Sequence, residues 1–474
     1  MRQSKFNSFW IGLAIIATLG FSLRYFLAFA FLPTGTNAYG FAWDLSTFAD
    51  WMFTIRSSGF HAYEVDPSIN YPPVFADILQ GLNFLGDLFS GGNPSKAQQI
   101  SIILLKLPAI IADIGVAVTL AVAGKKWFSP RVGLWAAGMT VLLPVFWYDS
   151  AVWGQVDSIS ALFMLVAVVF IADRKPEWSA LFVVLAILTK PQGILVGLVI
   201  APLFIGQLFG REYRWWRTVT VLATALGSFA ILALPWNLNT YATGSGASIP
   251  LIGDILGLAG QYRSTAGLFQ VLTANAYNPW ALAGFYPLAP MFQNGTASWT
   301  PDSINQWGLP ANLIGNLAFL AACGIVFWFL VRKPTVQNAL TGFAVVLVAF
   351  YDLPTRVHER YLVQAFVILC LVWATKWWDR IALTVLSLAN VINLHAILAT
   401  GLNVQFPPSP PSTDMVYQHH GQSPDYYGIS GISLAPGFSR DLWLVYLVIG
   451  LHFAALCYLF WQLFRQNLRK KAVQ

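Results

Sequence analysis

Apolar runs of about 15 to 23 residues recur along this chain, each closed by a basic, aromatic or Pro/Gly-rich stretch. That length and composition predict an all-α polytopic membrane protein of about twelve transmembrane helices, within a range of ten to fourteen. The runs lie at 10–32, 99–123, 132–149, 157–172, 177–190, 192–209, 217–236, 311–331, 338–352, 361–376, 380–400 and 441–464. The two between 177 and 209 are short and joined at Lys190-Pro191, so either reads equally as a half-helix. Residues 74–90 repeat apolar positions at i, i+3 and i+4 but are too short and mixed to span. They predict an amphipathic helix lying on the outer leaflet, and 261–272 fits the same reading. The runs divide the chain into a transmembrane module at 1–236 with the first outer loop and a second transmembrane module at 237–474 with outer loops 237–310 and 401–440.

Charge fixes an orientation for these spans. Only 10% of the 474 residues are charged, against 57% hydrophobic, and the net charge is +7. The basic residues punctuate the apolar runs and form no stripe, which excludes a nucleic-acid surface. Arg2, Lys5, Lys125, Lys126, Arg131, Arg174, Lys175, Arg211, Arg214, Arg217, Arg332, Lys333, Lys376, Arg380, Arg465, Arg469, Lys470 and Lys471 fall on one side. They are 18 of the 27 Lys and Arg. The positive-inside rule makes that side cytoplasmic and puts both termini there, in a cell membrane. Trp215-Trp216 and Trp377-Trp378 flank the basic segments as interfacial anchors do. The run after Lys5 is about 23 residues long with Arg24 inside it, which predicts an uncleaved first span over a signal peptide. Cys323, Cys370 and Cys457 lie in apolar runs with no metal-binding or disulfide spacing. No phosphate-binding glycine loop occurs in a strand-to-helix context, so an ATP-driven pump is unsupported.

On this topology the polar motifs gather on the outer side. They are FAWDLSTFADW (41–51), NYPP (70–73), WGQVDS (153–158), TKPQ (189–192), TANAYNPWAL (273–282) and LPTRVHERYL (353–362). Asp44 reads as a helix cap or as a general base towards a hydroxyl. Asp50 lies roughly 240° further round a helix, so the two carboxylates need not share a face. Asp157 reads as a cap of the following span or as a ligand contact, and Trp153 as a belt residue or a sugar platform. Lys190, before a proline at a helix break, reads as a cavity cation or a snorkelling side chain. Lys106 and Asp113 sit two turns apart on one face, where a structural charge pair involving Asp113 is expected. Arg356 and Arg360 would stack one turn apart, with Glu359 as a partner. With His358 they offer bidentate donors, permanent charge and an adjustable proton to a phosphate, or else a solvated loop.

Taken in order, Asp44, Tyr71-Pro72-Pro73, LKLPAIIAD (105–113), WGQVD (153–157), LTKPQ (188–192), NAYNPWAL (275–282) and PTRVHERYL (354–362) carry a family resemblance. The chain resembles the GT-C superfamily of membrane glycosyltransferases, and within it prokaryotic relatives of the second mannosyltransferase of GPI-anchor synthesis. The resemblance implies inverting transfer of a hexose, mannose favoured, from a polyprenyl-phosphate sugar to a hydroxyl on the extracytoplasmic face. The acceptor would be a glycan, a glycolipid or a protein. It implies Asp44 as general base, and Arg356, His358, Arg360, Lys190 and Arg24 as contacts of the donor phosphate. Trp153, Gln155, Asp157, Gln192, Tyr71 and Asn278 would meet the sugar or acceptor, and the eighth to tenth spans would hold the isoprenoid tail. No cofactor is implied. Some members use a divalent cation, but no DxD motif occurs here; Glu64 and Asp66 form the nearest equivalent. The alternatives are a transporter or lipid flippase, or a GT-C enzyme with a lipid-linked oligosaccharide donor. No internal inverted repeat supports transport.

Overall fold

A computed structural model describes residues 2–31, 43–209, 214–242, 249, 251–282, 301–401 and 441–468. Residues 283–300 and 402–440 of the expected outer loops therefore lie outside the described residues. The main helices are α1 (Arg2–Ala30), α2 (Trp43–Ser58), α3 (Pro73–Phe89), α4 (Leu107–Trp127), α5 (Pro130–Leu142), α6 (Asp157–Ala172), α7 (Pro176–Ile187) and α8 (Gly197–Leu208). They continue as α9 (Trp216–Ala233), α10 (Ile252–Gly267), α11 (Ala311–Arg332), α12 (Val336–Asp352), α13 (Val363–Val372), α14 (Trp377–Gly401) and α15 (Leu442–Leu468). A two-residue hairpin, β1 (Asn305–Gln306) with antiparallel β2 (Leu309–Pro310), precedes α11.

Proline sets many of the helix starts, because its fixed φ suits the first turn and its missing N–H is not needed there. It stands in the first turn of α3, α4, α5 and α7. Ser129 adds a cap to α5, accepting from Val132 N at 3.2 Å, and Thr335 does the same for α12 from Asn338 N at 3.2 Å. Pro144 bends the helix after α5 by 45°. Helices α4 and α5 meet closely at glycines: a Cβ on Gly133 would come within 2.2 Å of the Ala121 carbonyl oxygen.

Among the described residues, seven helices are long and apolar enough to cross a membrane, or eight if the bent pair after Pro130 counts as one span. The chain is a multi-pass membrane protein. Of the twelve expected spans, those at α6, α7 and α12 are apolar helices of only 16, 12 and 17 residues, and that at α13 has 10. α13 is buried from Val363 to Leu371, as a helix apolar on every side must be in a core. It packs against α5, α6, α12 and α14. By contrast only Ala233 is buried in α9, which turns its apolar faces outward. One buried cluster runs from Leu45 to Leu463, drawing on both halves of the chain. The expected helix at 74–90 forms as α3, and its face of Phe75, Leu79, Leu82 and Gly86 is buried within the protein. The helix expected at 261–272 does not form over that range: α10 runs from Ile252 to Gly267, and the chain from Leu268 to Leu272 is not helical.

Candidate active site

The polar motifs converge where α2, the 148–157 turn, the Lys190 break and the 353–362 loop meet. The turn is the least ordinary piece. Residues Tyr148–Trp153 wind as a π-helix, closed by Gly154 in the left-handed region at φ 87°. The Asp149 carbonyl then accepts from both Gly154 N and Gln155 N, each at 2.9 Å. Glycine is needed twice over: a Cβ there would also sit 2.9 Å from the Leu45 side chain of α2. Lys106 donates to the Phe31, Ala151 and Val152 carbonyls at 3.1, 2.9 and 3.0 Å, holding the end of the turn. Such wide turns recur at functional sites.

Beneath the turn lies a buried ion pair. Arg24 Nε donates to Asp113 Oδ2 at 2.6 Å, and its other nitrogens reach the Gly20, Thr140 and Val141 carbonyls. Ser150 donates to Asp113 Oδ2 at 2.7 Å and Ser158 to Oδ1. The partner of Asp113 is therefore Arg24 and not Lys106, whose ammonium is taken by carbonyls. Arg24 itself is engaged in holding α1, α4 and α5 together, and its donors are not turned to the cluster above.

Trp153 Nε1 donates to Asp44 Oδ2 at 3.0 Å, while Arg360 Nη2 stands 3.6 Å from Asp44 Oδ1. Asp44 lies in the first turn of α2, one residue inside its first helical position. Asp157 begins α6 behind Val156, but its carboxylate does not cap the helix. Oδ1 accepts from Lys190 Nζ at 2.7 Å and from Gln364 Nε2 at 3.1 Å. Lys190 is extended at φ −153°, as a residue before proline prefers, and its ammonium lies 5.5 Å from the Tyr71 ring centre and 5.6 Å from that of Tyr361. Lys190, Arg360, Asp157 and Asp44 all act electrostatically on the buried Tyr71 hydroxyl.

The TRVHER segment divides its side chains between two tasks. The expected helical stacking of Arg356 on Arg360 does not occur, because residue 356 has φ 65° and the helical turn begins only at Glu359. Arg356 instead grips Asp302 through Nε at 2.6 Å and Nη2 at 3.3 Å, and the Ala266 carbonyl through Nη1 at 3.0 Å. It staples a loop. Arg360 donates to Glu359 Oε1 at 2.8 Å. Burial raises the Glu359 pKa, but the neighbouring Arg360 guanidinium and His358 outweigh it and hold the carboxyl down at about 2. His358 packs edge-on against Phe269, with ring centres 4.7 Å apart, and its burial lowers its pKa against the opposing pull of Glu359.

Several buried polar atoms here have no hydrogen-bond partner among the described residues: Arg360 Nε, both ends of Gln155, Asp157 Oδ2, Gln192 Oε1 and both carboxylate oxygens of Asp149. A buried polar atom left unbonded costs about 1–3 kcal/mol, so a concentration of them needs an explanation. Asn278 is used differently, its amide donating to the Tyr351 carbonyl at 3.0 Å. Glu64 Oε1 accepts from Asn237 and Asp66 Oδ1 from Ser68 N. Among the described residues no three His, Cys, Asp or Glu side chains gather to hold a metal ion. Sequence reasoning missed Asp149, Gln364 and Tyr361. The first had a readable signal, an acidic residue at the end of an apolar run; the other two had none.

No family model matches the sequence, and no curated protein matches it. Among solved structures the chain is similar to an archaeal oligosaccharyltransferase AglB from Archaeoglobus fulgidus in complex with an inhibitory peptide and a dolichol-phosphate. The identity is 12% and the TM-score 0.48, over 95% of this chain and 56% of that one. It is also similar to the Archaeoglobus fulgidus oligosaccharyltransferase in its apo form, at 11% identity and TM-score 0.45, over 94% of this chain and 56% of that one. A third similar structure is that enzyme tethered to an acceptor peptide, at 12% identity and TM-score 0.44, over 94% and 55%. The chain spans little more than half the length of these proteins.

Proposed function

We propose that the chain is a membrane glycosyltransferase of GT-C type. It moves a hexose, mannose favoured, from a polyprenyl-phosphate sugar to an acceptor hydroxyl on the extracytoplasmic face, with inversion. The observation that carries the reading is the set of unpartnered buried polar atoms on Arg360, Gln155, Asp157 and Gln192. A polar ligand rich in hydroxyl and phosphate oxygens satisfies donors and acceptors together, which an apolar ligand cannot.

In the reaction Asp44 acts as the base. Its Oδ2 is held by Trp153 and its Oδ1 makes no hydrogen bond among the described residues, so a lone pair is available to an acceptor hydroxyl. The hydroxyl oxygen forms a bond to the anomeric carbon as its proton passes to Asp44. The bond from that carbon to the phosphate oxygen breaks, and polyprenyl phosphate leaves with the electron pair. Lys190 and Arg360 face Asp157, Glu359 and Asp44, so the site has no excess positive charge of its own. The leaving phosphate is met by fixed N–H donors, Arg360 Nε first, aimed at charge that grows in the transition state. We also infer that the short helices α6, α7, α12 and α13 complete the crossings beyond the seven long ones.

The test is transfer from a panel of radiolabelled polyprenyl-phosphate sugars by the purified protein in vesicles. Asp44→Asn should lower transfer by about a hundredfold or more, the usual share of a general base, with an unchanged melting temperature. Full activity in that variant removes Asp44 as the base. Absence of transfer from every donor in the panel removes the donor class.

A further inference from the structure

We propose a second site at the other end of the bundle, a pocket for the phosphate of an anionic membrane lipid. α12 and α13 each connect the two places. α12 leads from Lys333 and Thr335 to Asp352, and α13 from the Glu359 turn back to Val372, so their far ends lie opposite the Arg360 cluster. There a cavity of about 460 Å³ opens between the start of α12, the turn from α13 into α14 and the end of α15. By the charge distribution along the chain this is the cytoplasmic end.

Three cations line the cavity, Lys333, Lys376 and Arg465, against one carboxylate, Asp379. That carboxylate is buried and already accepts the Tyr458 hydroxyl at 2.7 Å. Lys376 and Arg465 form no ion pair among the described residues. The Arg465 guanidinium lies 5.0 Å over the Trp461 ring, and among the described residues Lys333 bonds only the Gln466 carbonyl, at 2.9 Å. Gln466 Oε1 is buried without a partner and offers an acceptor to a headgroup hydroxyl. Uncompensated cations around a concave space fit a phosphate. The rest of the setting selects a lipid over a free ion. Phe128, Leu340 and Val372 share the lining, and Trp377, Trp378 and Trp461 stand exposed beside it at the level where such rings anchor in headgroups.

The experiment places the full chain in phosphatidylcholine nanodiscs, titrates phosphatidylglycerol, and counts retained lipids by native mass spectrometry alongside the melting temperature. The protein should retain phosphatidylglycerol and melt higher with it. The double variant Lys376→Gln/Arg465→Gln should bind it roughly thirtyfold more weakly, as for the loss of two basic contacts at a lipid phosphate. Lys376→Arg/Arg465→Lys, which keeps both charges, should bind nearly as the parent does. Equal retention by the parent and the glutamine variant overturns the site. An equal rise in melting temperature from inorganic phosphate alone overturns the lipid as its occupant.

Discussion

Arg360 has a buried Nε bonded to nothing among the described residues, whereas Arg356 uses Nε, Nη1 and Nη2 on Asp302 and the Ala266 carbonyl. Replacement by glutamine should therefore separate them. Arg360→Gln should weaken the donor by about tenfold or more, the share of one charge-assisted hydrogen bond, and also lower the melting temperature, because it leaves the buried Glu359 carboxylate without its cation. Arg356→Gln should lower the melting temperature alone, with the donor KM near the parent value. Donor titrations and thermal melts on both variants check this, and a matching KM effect would mean that both arginines meet the phosphate. The sequence shows two arginines with one spacing. It does not show that the backbone turns left-handed at residue 356, because the partner that holds it there, Asp302, is 54 positions away.

At the scale of the element, the π-turn at 148–153 is what aims Trp153 at Asp44. Gly154→Ala adds a Cβ at a positive φ and against Leu45, a strain of about 1–3 kcal/mol. Transfer and melting temperature should both fall in that variant. Leu45→Ala in the same chain should recover only the part due to the clash; full recovery would show that the backbone angle is immaterial. The apolar runs at 74, 132 and 177 begin within two residues of the helix starts at Pro73, Pro130 and Pro176, where proline suits the first turn. The WGQVD motif was legible as a polar interruption of an apolar stretch. The π winding was not, since the residues before it, Pro144 to Trp147, are apolar in any register and give no period to read. Asp157 likewise stayed open between a cap and a ligand contact: its position at the head of α6 is local, but its partners Lys190 and Gln364 arrive from elsewhere in the fold.

For the molecule as a whole, the helices that end at the site are its short ones. At 1.5 Å per residue α13 is about 15 Å long, α7 about 18 Å and α6 about 24 Å, against a hydrocarbon thickness of about 30 Å. The long helices α1, α9 and α11 stand around them with mostly outward apolar faces. A sequence reading counts all of these alike as spans, because hydropathy reports composition and not how deep a helix end comes to rest. On the proposed function the short helices set Arg360, Lys190 and Asp157 below the lipid headgroups. The proposed donor, tethered to an isoprenoid tail, would then slide in from the side without leaving its leaflet, while a water-borne acceptor would have to descend to meet it. Bilayer thickness thereby becomes a control on rate: vesicles of longer acyl chains should slow transfer several-fold by deepening the descent, and a rate indifferent to chain length would place the reacting atoms at the surface.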